Sequence, residues 1–308
     1  MMGATPRRAW TATIVAAVFL GSAALLLGSA TAVAQFVEHS PFGFDRGQDV
    51  APTFDGWARN ADGTFSLYFG YLNRNAAEEL HVPIGADNTF EPGGDRGQPT
   101  YFYPAGSHEP AGLSDRDVTG RRRWWVFRVD VPSSWTIKDR LIWTLRSRGK
   151  TTRATGWLQA EYEVNADFIR ENAADGHLFS RADFEEGNQP PAGTIAGGGT
   201  VNFPGPAMLT LNATDDGRPK AGAPQAAGRG RAAQALRVRW TTYRGPARVT
   251  FDPETAGSPE GTAAKFGTKA TFSAPGAYRL RAIVSDGLLF STHDIDVTVN
   301  PPAGTATR

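Results

Sequence analysis

The amino-acid sequence predicts an all-β protein made of two β-sandwich (Ig-like) domains in tandem. Three observations lead there. Glycine (35) and proline (21) recur along the chain, and beyond the first 34 residues no stretch sustains the apolar period of a helix. Short runs instead alternate apolar and polar side chains and end in Gly, Pro, Asn or Asp, the pattern of strands joined by tight turns. The 308 residues suffice for two domains of ordinary size.

The N-terminus reads as a leader. Arg7-Arg8 precede an uncharged apolar run, Trp10 to Leu27, and small residues follow up to Ala32-Val33-Ala34. That is the layout of a secretory signal peptide spanning 1–34 and cleaved before Gln35. Retention as a membrane anchor is the alternative, and the arginine pair leaves twin-arginine export open beside ordinary secretion. Without Arg7 and Arg8, 30 basic and 31 acidic residues remain, a net charge of −1. A near-neutral chain has no bulk electrostatic reason to bind nucleic acid or anionic membranes. There is no cysteine, which excludes thiol nucleophiles, cysteine zinc sites and disulfide stapling. The expected location is therefore periplasmic, cell-surface or secreted, in a bacterial envelope, with no stable membrane insertion after cleavage.

The first domain is expected over 35–164. Residues 35–54 form an extended lead-in, and Asp55-Gly56 and Asn60-Ala61-Asp62-Gly63 read as turns around a strand from Thr64 to Tyr71. In that strand Phe65, Leu67, Phe69 and Tyr71 share one face. Further strands are expected at Glu79–Ile84, Thr100–Tyr103, Trp124–Val131 and Leu141–Leu145. Arg148-Gly149-Lys150 turns the chain into a return from Thr152 to Val164. Residues 85–98 and 104–120 read as loops. A polar linker follows at 165–192. The second domain covers 193–300, with strands at Thr200–Phe203, Ala207–Asn212, Leu236–Tyr243, Arg248–Phe251, Ala270–Ser273, Gly276–Ser285 and Leu288–Val299. Residues 215–235 form a low-complexity insert, Gly197-Gly198-Gly199 reads as flexible linker, and 301–308 as a disordered tail.

Residues 196–300 resemble the PKD/Ig-like β-sandwich family of bacterial surface proteins. The likeness rests on the Trp strand Leu236–Trp240, the turn Arg244-Gly245-Pro246, the entry Ala270–Tyr278 and the hairpin at Asp286-Gly287. It implies a sandwich used for binding or spacing, without chemistry. Residues 55–164 resemble an uncharacterised domain of exported bacterial proteins through DGW..N.DGT..L.FGY.NRN, through Gly97-Gln98-Pro99-Thr100-Tyr101-Phe102 and through Trp143–Thr151; this resemblance implies no activity.

Catalytic and metal-ligating signatures are not found. His39, His81, His108, His177 and His293 do not sit at metal-ligand spacing. Ser107 is not in a G-x-S-x-G elbow. Asp294 and Asp296, like Asp215-Asp216, read as solvated charge before they read as calcium ligands, which need six to eight converging oxygens. No catalytic residue, metal or cofactor is therefore expected.

Aromatic side chains are the suggestive feature. Trp57, Trp124, Trp125, Trp135, Trp143 and Trp157 all fall in the first domain. Most suit a core. Trp124 and Trp125 are adjacent in an expected strand, so one should point in and the other out. Arg121, Arg122 and Arg123 stand beside them, able to lie over a ring or donate to hydroxyl, carboxylate or phosphate groups. These five residues are the candidate ligand-binding set. The reading is an exported, non-enzymatic binding, adhesion or spacer protein, with envelope polysaccharide or another surface protein as partner. The alternatives are a carbohydrate-binding accessory module or polysaccharide-active enzyme, and a structural subunit of a surface assembly.

Overall fold

The computed structural model describes residues 44–104, 122–164, 189–218, 236–258, 262–286 and 289–302, all within one compact unit, Phe44–Arg308. The leader and its cleavage site, Arg121 with residues 105–120, residues 165–188 of the linker, 219–235 of the insert and 303–308 of the tail lie outside them. The protein is all-β, with two Ig-like sandwiches and a single 3-10 turn at Ala160–Tyr162 among the described residues. None of those residues forms a helix long and apolar enough to cross a membrane.

In the first sandwich, β1 (Val50–Arg59), β2 (Phe65–Asn73) and β6 (Arg122–Val131) form one sheet in the order β1-β2-β6. The other sheet runs β4-β7-β8, from β4 (Asn88–Glu91), β7 (Leu141–Ser147) and β8 (Lys150–Gly156); β3 (Leu80–His81) pairs with β5 (Tyr101–Phe102). As alternation requires, Phe65, Leu67, Phe69 and Tyr71 are all buried. Trp143 lies at the centre, with its ring 5.0 Å from Phe127, 5.7 Å from Phe90 and 6.2 Å from Phe69. Its Nε1–H donates to Asn88 Oδ1 at 2.9 Å. The Asn88 amide in turn donates to the carbonyls of Val82 and Pro99, so this buried polar group has its partners. The Asn73-Arg74-Asn75 run is equally occupied. Asn73 donates to Glu78 O and Phe102 O, Arg74 pairs with the fully buried Asp49, and Asn75 exchanges bonds with Gln48.

Several expectations are corrected here. Asp55-Gly56 is not a turn: it lies within the ten-residue β1, at a bulge between Phe54 and Gly56. Pro52 is tolerated there because β1 is at the edge of its sheet, with β2 as its ladder partner and a bridge on the other side only at Trp57, to Glu163. β4 runs through what reads as loop, because four residues between turn formers leave too little alternation to register. The Glu79–Ile84 strand contracts to Leu80–His81. Arg148 and Gly149 (φ 51° and 74°) do make the two-residue hairpin between β7 and β8.

The second sandwich stacks two sheets, β10-β17-β16-β12-β14 and β13-β15-β11-β9. The strands are β9 (Ala192–Ala196), β10 (Gly199–Asn202), β11 (Ala207–Thr214), β12 (Leu236–Arg244), β13 (Val249–Asp252), β14 (Thr255–Ser258), β15 (Ala263–Phe272), β16 (Gly276–Ser285) and β17 (Phe290–Asn300). Trp240 fills its core, 1% exposed. The expected Ala270–Ser273 strand is the end of β15, where Phe266, Thr268, Ala270 and Phe272 alternate inward. The glycine run is a correction as well. Gly197-Gly198-Gly199 is an ordered kink that carries the chain from β9 in one sheet to β10 in the other. A Cβ on Gly197 would sit 1.9 Å from Met208 O, so only glycine passes there.

Candidate functional site

The residues singled out in the sequence meet at the start of β6. From Phe127 to Val131 that strand alternates as expected: Phe127, Val129 and Val131 are buried, and Arg128 and Asp130 exposed. Before Phe127 the alternation fails. Phe69 of β2 pairs with Phe127 and Tyr71 with Arg123, so Gly70 alone faces Trp124, Trp125 and Val126. The surplus residues form a bulge, with Trp125 at φ 50° and Val126 still packed against the core. The expectation of one ring inward and one outward is therefore corrected. Neither tryptophan enters the core, both are half-buried, and their ring centroids lie 6.4 Å apart at 54°.

A buried carboxylate holds this bulge. Asp55 is itself the extra residue of the β1 bulge, on the other side of β2. Its side chain is fully buried. Oδ2 accepts the Trp125 N–H at 2.7 Å, and Oδ1 accepts from Thr53 Oγ1 at 2.9 Å and from the Arg122 guanidinium. Burial pushes the Asp55 carboxyl up from the usual carboxylate range, while the Arg122 charge and these donors pull it back. Gly70 leaves room for the carboxylate: a Cβ there would sit 2.0 Å from Arg123 O and 2.4 Å from Asp55 Oδ2. Arg122 completes the set, its Cζ lying 3.3 Å from the Trp124 ring centroid. Guanidinium, indole and carboxylate thus form one stack, with the second indole beside it.

Arg123 points elsewhere. It donates to Pro104 O at 2.9 Å and lines a small cavity of about 50 Å³ with Tyr71, Tyr103, Arg239, Thr242 and Tyr243, where the two sandwiches meet. The meeting is built by a third bulge, between Thr242 and Arg244 of β12. It sends Tyr243 into the hydrophobic cluster of the first sandwich. Tyr243 Oη donates to Gly97 O at 2.5 Å, and burial pushes its phenol up to about 12, so it remains a donor at ordinary pH. Thr100 N–H donates to Tyr243 O, and the Thr242 N–H to Tyr103 Oη. Arg244 donates to Gln98 O and makes two bonds to Asp95, at 2.7 and 3.0 Å. Arg281 of β16 donates to Val126 O in β6 at 2.5 Å.

Other polar clusters are structurally occupied. Asp294 and Asp296 pair two-pronged with Arg281 and Arg279 on the neighbouring strand. Ser291 Oγ stands 2.9 Å from His293 Nε2 but donates its own hydrogen to Pro191 O. That leaves His293 as the donor, so it does not activate the hydroxyl. Among the described residues no three His, Cys, Asp or Glu side chains are grouped to hold a metal. Of the candidate set, Arg122, Trp124 and Trp125 come together, Arg123 turns to the junction, and Arg121 lies outside the described residues. Sequence reasoning missed Asp55, Gly70, Tyr243 and Arg281. Gly70 was the available signal, as a glycine in the middle of an otherwise strong strand marks a bulge or close approach.

No protein-family model and no curated protein matches the sequence. Among solved structures, the CARDB domain of the PF1109 protein from Pyrococcus furiosus, in complex with di-metal ions, is 15% identical (TM-score 0.24), covering 37% of this chain and 96% of that one. The fibronectin(III)-like modules of Clostridium thermocellum CbhA are 10% identical (TM-score 0.23), covering 83% and 98%. Escherichia coli alpha-2-macroglobulin activated by porcine elastase is 10% identical (TM-score 0.25), covering 82% of this chain and 22% of that one. At these scores none of them bears on activity.

Proposed function

We propose that this is an exported, non-enzymatic binding protein of the bacterial envelope, with the Trp124–Trp125 pair as its ligand-contacting surface. One observation carries the reading. Two adjacent indoles that regular alternation would send to opposite faces are instead held side by side and half-buried, neither in the core. The fully buried Asp55 carboxylate, paired with the partly exposed Arg122, holds them there. Large aromatic side chains kept out of a core by a charged scaffold suit stacking on a planar or ring-faced ligand. The Arg122 charge is taken up by Asp55, so the surface favours sugar rings over anionic groups, and envelope polysaccharide is the partner we favour. The second sandwich, PKD-like in sequence, supports and spaces the first.

The test is retention of the purified protein on insoluble cell-wall sacculi and in gels carrying neutral or acidic polysaccharides. Wild type is expected to be retained by a neutral polymer. Trp124→Ala and Trp125→Ala are expected to lose about 2 kcal/mol or more of binding while melting as cooperatively as wild type. Undiminished retention of both variants would move the site elsewhere. Unfolding of both would make the rings structural.

A further inference from the structure

The bulge that carries the two indoles is fixed by two polar bonds, and they come from different sandwiches. Asp55 of the first holds the Trp125 N–H. Arg281 of the second holds the next carbonyl, Val126 O. Arg281 is well placed to do so. It is 8% exposed, its Nε and Nη2 donate to Asp294 at 2.7 and 2.9 Å, and its Cζ lies 3.7 Å from the centroid of Tyr243, the ring lodged in the first core. A guanidinium gripped on one edge by a carboxylate and on one face by a buried ring has little freedom left. Its remaining nitrogen, Nη1, is therefore aimed. The neighbouring pair Arg279–Asp296 has the same two-pronged geometry but is more exposed.

We propose that Arg281 is a positioning residue for the Trp124–Trp125 surface, so that the second sandwich sets the shape of a binding site it does not itself contain. This rests on reading the indole pair as the ligand-contacting surface. A bulge tethered at one end only can relax toward ordinary alternation, which would part the rings. A rigid site needs its supporting shell locked as well as its contact residues.

The test reads the rings directly. Two indoles this close give a coupled band in circular dichroism, assigned by its loss in Trp124→Phe. In the full chain, Arg281→Met is expected to lose most of that band and to admit more fluorescence quenching by acrylamide. Arg281→Lys should recover part of the band. Asp294→Asn, which removes the anchor but keeps the guanidinium, should fall between wild type and Arg281→Met. Arg279→Met should leave the band at its wild-type size. An unchanged band in Arg281→Lys and Asp294→Asn overturns the proposal even if Arg281→Met fails to fold, and so does an equal loss in Arg279→Met. The outcomes separate from those of the binding assay. A band that depends on Arg281 in a protein no polysaccharide retains would sink the ligand reading alone. Trp-dependent retention with a band indifferent to Arg281 would sink this proposal alone.

Discussion

The two sandwiches reach similar architecture by different means. The first encloses charge and amide. Asp49, Asp55, Asn73, Asn75, Asn88 and Gln98 are all buried, and each is met by named donors or acceptors. The second relies on alternation. β11 and β15 read as nearly strict inside–outside repeats, and its buried charges are fewer: Arg239, Asp286 and Arg281, the last facing the first sandwich, while the Arg279–Asp296 pair sits at the surface. Even the tryptophans differ. Trp143 gives its N–H to Asn88, while Trp240 Nε1 is buried with no hydrogen-bond partner. Buried polar networks fix one arrangement of the backbone, bulges included, whereas apolar alternation fixes only a face. The irregular strand that presents Trp124 and Trp125 belongs to the sandwich that has such a network.

That contrast can be broken by matched substitutions. The largest difference is expected between Asp55→Ala and Asp296→Ala. Removing Asp55 strands a partly buried Arg122 and releases the Trp125 N–H, which should cost about 3–5 kcal/mol. Removing the exposed Asp296 should cost under about 1 kcal/mol. Equal losses in denaturant melts would mean that the buried carboxylate is not special. Next comes Trp143→Phe against Trp240→Phe. Each opens a similar space, but only the first leaves Asn88 Oδ1 without its donor. It should cost about 1–3 kcal/mol more, and a smaller loss for Trp143→Phe would contradict the contrast.

Legibility followed the same division. The second sandwich was largely readable because its strands repeat every two residues, as in β11 and β17, although of β15 only the end, from Ala270, was expected. β9 and β14 escaped, being four or five residues long with no buried large side chain. In the first sandwich β2 was readable for the same reason, yet β1 was not: VAPTFDGWAR carries Pro52 and Asp55-Gly56, which locally spell a turn. Only the three-dimensional partners of Asp55 make a strand of it, and partners distant in sequence leave no periodic trace. The candidate site was half legible. Trp124, Trp125 and Arg122 stand out as residues, but their shared side of the strand depends on Gly70, Asp55 and Arg281, from three other strands.

A smaller effect concerns the junction. Tyr243→Phe keeps the ring in the first core and removes the hydroxyl, with its bond to Gly97 O and its side-chain interaction with Arg281, at a cost of about 1 kcal/mol in the global melt. No change would mean that the ring alone makes the junction. The smallest effect is on pH dependence. The Arg244 side chain beside Asp95, and Arg279 beside Asp296, hold both carboxyls below the usual carboxylate value of 3.8. With the folded pKa depressed, their stabilisation is full above the ordinary value and is lost as the pH falls through the depressed one. Arg244→Ala should therefore flatten the acid limb of the stability curve slightly, and an unaltered limb would contradict the pairing.

The most direct test of the account is amide hydrogen exchange at Trp125. If the bulge is a built platform, its N–H, bonded to buried Asp55, exchanges as slowly as the ladder amides of Phe69 and Phe127 beside it. If it exchanges as fast as an exposed loop amide, the bulge is an opening in the strand, and the two indoles are not held for a ligand.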